Sequence, residues 1–189
     1  MKNFLFAVFV ALFAVEISAQ DISVTSSRNH DINRFYINLV GKAATLKDGW
    51  GLFGGARAGY TLNNVSVGLV GHGLIPEKLG GSYVNRDGKD ELRFGYGGAE
   101  IAYNYDISDR FSLTGMLMIG AGRADYENLS GHDYFFVTEP SAAINYWLTN
   151  WFGLGCSAGY RFASGVKYAD LSDANFSGWS ANIDFNFGF

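Results

Sequence analysis

The sequence predicts an all-β fold, an eight-stranded antiparallel transmembrane up-and-down β-barrel. Three observations carry this. Eight stretches alternate apolar and polar residues with the period of two that a strand imposes. The connections between them alternate in length, short then long. One face of these stretches carries large aliphatic and aromatic side chains, while the other carries small residues and isolated charges. A soluble barrel reverses that arrangement, with apolar groups inside and charges outside.

Composition agrees. Of 189 residues, 48% are hydrophobic and 16% aromatic, but only 17% are charged, below the roughly 25% usual for soluble domains. The 25 glycines and 2 prolines suit strands and turns whose outer surface does not face water. A net charge of −4, with no Lys/Arg run, argues against a nucleic-acid partner.

The chain opens with MKNFLFAVFVALFAVEISAQ. A lysine at position 2, an apolar run over 4–15 and the small pair Ser18-Ala19 are the parts of a cleavable export signal, expected over residues 1–19. The run is too short to cross a bilayer as a helix. Gln20, not a cysteine, follows the cleavage point, which speaks against a lipid anchor. Residues 20–33 are polar and are expected to form a periplasmic N-terminal segment before a barrel domain over 34–189. Cys156 is the one cysteine of the chain; it cannot form an internal disulfide and is expected to act as a small hydrophobe.

Strands are expected at about 34–43, 50–61, 64–74, 91–105, 110–123, 135–148, 151–163 and 176–189, with no helical period in the mature chain. The second, fourth and sixth connections are short, around Leu62-Asn63, Asp106-Ile107-Ser108-Asp109 and Thr149-Asn150. The others, at 44–49, 75–90, 124–134 and 164–175, are longer. Short periplasmic turns and long external loops would give this order and put both mature termini in the periplasm. Asp87-Gly88 marks a two-residue turn in the second long loop, extending the strands beside it as a hairpin. Pro140 interrupts the sixth strand, where a closed barrel needs every ladder donor, and is expected at a bulge or at the end of regular pairing.

Outward aromatics gather at the strand ends. Tyr60, Tyr105, Phe111, Trp151 and Phe189 are expected at the short-turn end, and Trp50, Phe135, Phe162 and Trp179 toward the loop end. Two such belts match the two interfaces of a membrane. The inward face carries Arg57, His72, Glu100, Glu139, Arg161 and Asp184. A hairpin centred on Thr149-Asn150 sets Glu139 across from Arg161, the ion pair expected first. By height, Arg57, Glu100 and Asp184 form a lower layer and Glu139, Arg161 and His72 an upper one. Such charges must be paired or hydrated, and a structural polar plug is favoured over an ion path. His72 lacks the neighbours of a metal site.

The end of the chain, SANIDFNFGF, alternates strictly and closes on Phe189. With the signal, the eight strands and the alternating connections, it resembles the small outer-membrane barrels of the OmpA/OmpX type, porin-like outer-membrane proteins, across essentially the whole mature chain. The resemblance is architectural and rests on no signature motif. It implies a bacterial outer-membrane location among lipid and lipopolysaccharide. It also implies that Phe185, Phe187 and Phe189 are read by the barrel-assembly machinery.

Chemistry is weakly signalled. Ser130, His132 and Asp133 have the residue types of a hydrolase, but triad members come from separate segments. No cofactor or metal motif is present: the acidic groups near Gly88 miss calcium-loop spacing, and Gly120-x-Gly122 makes no phosphate cradle. The expectation is a non-enzymatic scaffold, adhesin-like protein or complex subunit that acts through its external loops, with an outer-membrane protein as a candidate partner. A narrow porin-like channel is the second reading and a lipid A-modifying enzyme the third.

Overall fold

A computed structural model describes residues 34–46, 49–75, 85–86, 90–126, 133–167 and 171–189. Residues 1–33, where the export signal and the periplasmic segment are expected, and Ser130 and His132 lie outside them. Eight barrel strands follow in chain order: β1 (Arg34–Leu46), β2 (Gly49–Leu62), β3 (Val65–Leu74), β4 (Asp90–Asp106), β5 (Phe111–Tyr126), β6 (Asp133–Trp147), β7 (Phe152–Ser164) and β8 (Gly178–Gly188). Each pairs antiparallel with its sequence neighbours, and β1 pairs with β8 to close the sheet on itself. Closure leaves no edge, so the backbone donors and acceptors find partners within the wall.

The register fixes the stagger. Stepping straight across the ladders from Arg34 leads through Thr61, Ser66, Ala102, Met116, Ser141, Gly159 and Ser180. The path returns on Ala44, ten residues further along β1. That shear, with eight strands, gives a tilted wall around a lumen just wide enough for side chains to fill. The period of two sorts residues to its two sides. On β7, Leu154, Cys156 and Ala158 face out while Gly155, Ser157 and Arg161 are buried inside. The outer face carries Phe35, Leu39, Val67, Leu69, Ile101, Ile144 and Ile183.

Several boundaries differ from the sequence pattern. β1 and β2 run on until Leu46 faces Gly49, so the first connection is residues 47–48 alone and the long-short alternation is not strict. Ala44 and Leu46 pack inside the barrel, and that burial holds the extended ladder. The last strand begins at Gly178, not 176. Before it, α1 (Asp173–Phe176) makes one turn with a Ser172/Asn175 capping box, too short to leave a helical period. In the second long loop Asn85 and Arg86 pair with Glu91 and Asp90, and the turn expected at Asp87-Gly88 lies outside the described residues. Pro140 makes neither a bulge nor an end. It keeps its place opposite Leu117 on β5, while the β7 ladder skips Glu139 and Pro140 and resumes in the same register at Thr138 and Phe162.

One close approach explains a pair of glycines. Gly59 and Gly68 face each other across β2 and β3, and the Tyr36 hydroxyl lies where their Cβ atoms would stand, 2.7 and 2.5 Å away. A side chain there also meets the neighbouring backbone at 2.2–2.5 Å. Gly68→Val is expected to lower barrel stability by about 1–3 kcal/mol. The check is the temperature at which the folded band is lost on an unboiled gel, compared with that of the native chain.

Candidate functional site in the barrel lumen

The lumen is built in layers from the short-turn end upward. Lowest is a belt of amides and hydroxyls that crosses five strands. Asn186 Nδ2 donates to Asn145 Oδ1 at 2.9 Å, Asn145 Nδ2 to Thr114 Oγ1 at 3.0 Å, and Thr114 Oγ1 to Asn104 Oδ1 at 2.9 Å. Asn104 Nδ2 then donates to Ser66 Oγ at 2.8 Å. Each group is supplied by the inward parity of a different strand, so the belt ties the wall together where the turns leave it.

Above it sits the first charged layer. Arg57 Nη1 donates to Asp184 Oδ1 at 3.0 Å, and Arg57 Nε lies 3.4 Å from Glu100 Oε2. Ser157 Oγ donates to Asp184 Oδ2 at 2.9 Å, and Asn182 Nδ2 donates to Ser157. This is the lower layer read from the sequence, with the same three charges.

The upper layer is arranged differently from the expectation. Glu139 is not paired with Arg161 among the described residues. Its Oε1 receives Lys42 Nζ and Ser180 Oγ, and its Oε2 receives Tyr96 Oη at 2.8 Å. Lys42, absent from the sequence-based set, sits on β1 with its ammonium fully buried. Its signal was parity alone: it shares the inward face with Val40 and Ala44.

Arg161 instead rises into an apolar cap. It is 0% exposed, and its guanidinium carbon lies 5.4, 5.1 and 5.1 Å from the rings of Phe53, Phe94 and Tyr96. Nε donates to the Phe176 carbonyl at 2.5 Å and Nη2 to the Thr45 carbonyl at 2.9 Å. Phe176, carried by α1, packs edge-on to Phe94 at 4.8 Å and against Phe135 at 4.9 Å. Leu46, Leu92, Val137 and Leu171 complete the cap. Arginine is suited to this place because its planar, weakly hydrated cation stacks on rings and still donates in the ring plane. His72 lies beneath, 5.1 Å from the Tyr96 ring, with Nδ1 unbonded.

The remaining site residues fall as follows. Trp50, Tyr105, Phe111, Trp151, Trp179 and Phe189 are exposed on the outer face, with Tyr60 and Phe162 half-buried there. Phe135 points inward, a correction that follows from its shared parity with Val137 and Glu139; Tyr134 and Phe136 take the outer positions. Phe187 packs on Phe152 at 5.3 Å, Phe185 is exposed, and the Phe189 amide donates to the Phe35 carbonyl at 2.8 Å. Asp133 accepts from the Lys167 amide at 2.5 Å.

No protein-family model matches the chain, and no curated relative matches it either. Solved structures do. Neisserial surface protein A superposes with a TM-score of 0.63 at 12% identity, over 83% of this chain and 97% of that one. The N-terminal β-barrel domain of Pseudomonas aeruginosa OprF gives 0.53 at 15% identity, over 83% and 98%. Pseudomonas aeruginosa OprG gives 0.53 at 13% identity, over 82% and 96%. The fold is therefore that of the small eight-stranded outer-membrane barrels.

The layering makes a prediction about Lys42 and Glu139. Either Lys42→Met or Glu139→Leu alone leaves a buried ion without its partner and is expected to cost about 3–5 kcal/mol. The double variant should recover most of that loss. Urea unfolding from lipid vesicles, followed by tryptophan fluorescence, closes the cycle; additive losses would show that the pair does not act as a unit.

Proposed function

We propose that this chain is an integral protein of a Gram-negative outer membrane whose work is non-enzymatic, as a scaffold, adhesin-like protein or complex subunit. The observation that carries the reading is a lumen filled through its middle and loop end. Arg161, Phe176 and the rings around them close it at the loop end, and two charged layers occupy its middle. What is left for a partner is the loops and the outer wall, and loops on a rigid frame are where such proteins carry specificity. The outer band of aliphatic and aromatic side chains supports placement among lipid and lipopolysaccharide. In this reading the short turns and both mature termini face the periplasm.

A narrow channel is the second reading. It is favoured by a cavity of about 110 Å³ at the short-turn end, lined by Arg57, Glu100, Asn104, Asn145 and Asp184.

Two outcomes are expected. An epitope inserted in the loop over residues 76–89 should be reached by antibody on intact cells, and one at the mature N-terminus only after the outer membrane is opened. Pull-down from native membranes in mild detergent should bring a stoichiometric partner, while planar bilayers with the purified barrel should show no steady conductance step. Ohmic steps without a partner would replace the scaffold reading with the channel. Removing Phe189, which directly follows the closing strand, should cut the amount of assembled, heat-modifiable barrel several-fold; unchanged assembly would remove it as an insertion signal.

A further inference from the structure

The outer wall is apolar except in one place. Among the strand residues whose burial is described, the charged groups that face outward are Arg93 on β4 and Arg123 and Asp125 on β5. Arg93 stands opposite Asp125 and Arg123 opposite Gly95, so the two arginines are diagonal neighbours on one face. The Arg123 side chain is 52% exposed, with Nε 3.4 Å from Asp125 Oδ1 and the guanidinium carbon 5.9 Å from the Tyr134 ring. Its two terminal nitrogens make no hydrogen bond or ion pair among the described residues. A cation on the lipid face is tolerated near an interface and costly at mid-membrane, and Arg123 lies near the loop end of β5.

Beside this cation the wall is bare. The ladder row of Arg123 runs through Gly95, Gly73 and Gly54 to Gly41 near the middle of β1. The next row toward the turn end carries Ala121, Gly97 and Gly71. A Cβ at Gly71 or Gly73 would meet no atom within 4 Å. Packing within the barrel therefore does not demand glycine at either position, and the space they leave opens outward. Leu69 and Ile119, both exposed, bound it on the turn-end side.

We propose that this face binds one phosphorylated, acylated sugar lipid of the outer leaflet, with its phosphate on Arg123 and Arg93 and an acyl chain along the glycine row. A planar guanidinium matches a phosphate bidentately. Tyr134, 61% exposed beside the cation, has the amphipathic ring that sits at headgroup level. The row slopes from that level toward mid-wall, as an acyl chain does. A second copy docked by the same face around a two-fold axis would set the arginines of the two copies against each other. The site rests on the outer-membrane reading above, which supplies the leaflet.

The test is native mass spectrometry of the full folded barrel, released from a non-ionic maltoside detergent. The probes are bis-phosphorylated hexa-acyl lipid A, the same lipid dephosphorylated, and phosphatidylglycerol. One bis-phosphorylated lipid should be retained per barrel, at least about tenfold tighter than either comparator, a ratio worth about 1.4 kcal/mol. Arg123→Gln should weaken retention about tenfold, and adding Arg93→Gln should weaken it further. Arg110→Gln, which removes an exposed arginine at the turn end, should leave it unchanged. Gly73→Leu fills the row without meeting a neighbour and should weaken retention about tenfold; Gly71→Leu replaces it if the first variant fails the heat-modifiability check. No retained lipid, equal retention of either comparator, an equal loss with Arg110→Gln, or full retention in a folded Arg123 or glycine variant overturns the proposal. Cell fractionation reads the underlying assignment separately. A barrel in the outer membrane that retains no lipid removes the site alone, and a barrel recovered elsewhere overturns both.

Discussion

Charge balance inside the wall is the constraint on which the rest of the structure depends. Three buried cations, Lys42, Arg57 and Arg161, face three buried carboxylates, Glu100, Glu139 and Asp184. Neither layer is neutral by itself. The lower holds an extra carboxylate and the upper an extra cation, so each layer needs the other as well as its own hydrogen bonds. An ion in low dielectric is tolerated only with such partners. The small inward residues around them, such as Gly59, Gly68 and Ser157, keep space for the long side chains that reach across the axis.

The two ends of the lumen solve the same problem of filling in opposite ways. At the short-turn end, amides and hydroxyls bond one another and leave a polar cavity beneath the charges. At the loop end, the wall is lined with rings, and a single turn of helix adds Phe176 to them. Arg161 belongs to both regimes. Its cation stacks on the rings, and its N–H groups bind carbonyls at the end of β1 and in α1. It therefore ties the last loop to the first strand, across the closure of the barrel. Among the described residues the loop end of the lumen is thus closed by apolar packing, while the turn end keeps the cavity.

Much of this was legible in the sequence. Strand parity follows from a period of two, and it put Arg57, His72, Glu100, Glu139, Arg161 and Asp184 inside without knowledge of tertiary contacts. The hairpin register across Thr149-Asn150 was also readable, because a tight turn leaves little freedom in pairing. Parity had marked Lys42 and Phe135 as inward too. They were missed because a lysine near a strand end and an aromatic near an interface both have familiar outward roles.

Sequence by itself determined the class, the number of strands and which face of each meets the lumen, since these depend on local alternation and turn lengths. Tertiary structure alone decided the partners. Glu139 lies level with Arg161, yet it binds Lys42 from a strand 97 residues away. A shear of ten residues and side chains that cross the axis set those distances, and neither is written in any single hairpin. The same holds for the apolar cap. Phe176 is buried only because Phe94, Phe135 and Arg161, from three different strands, converge where the last loop returns to the wall.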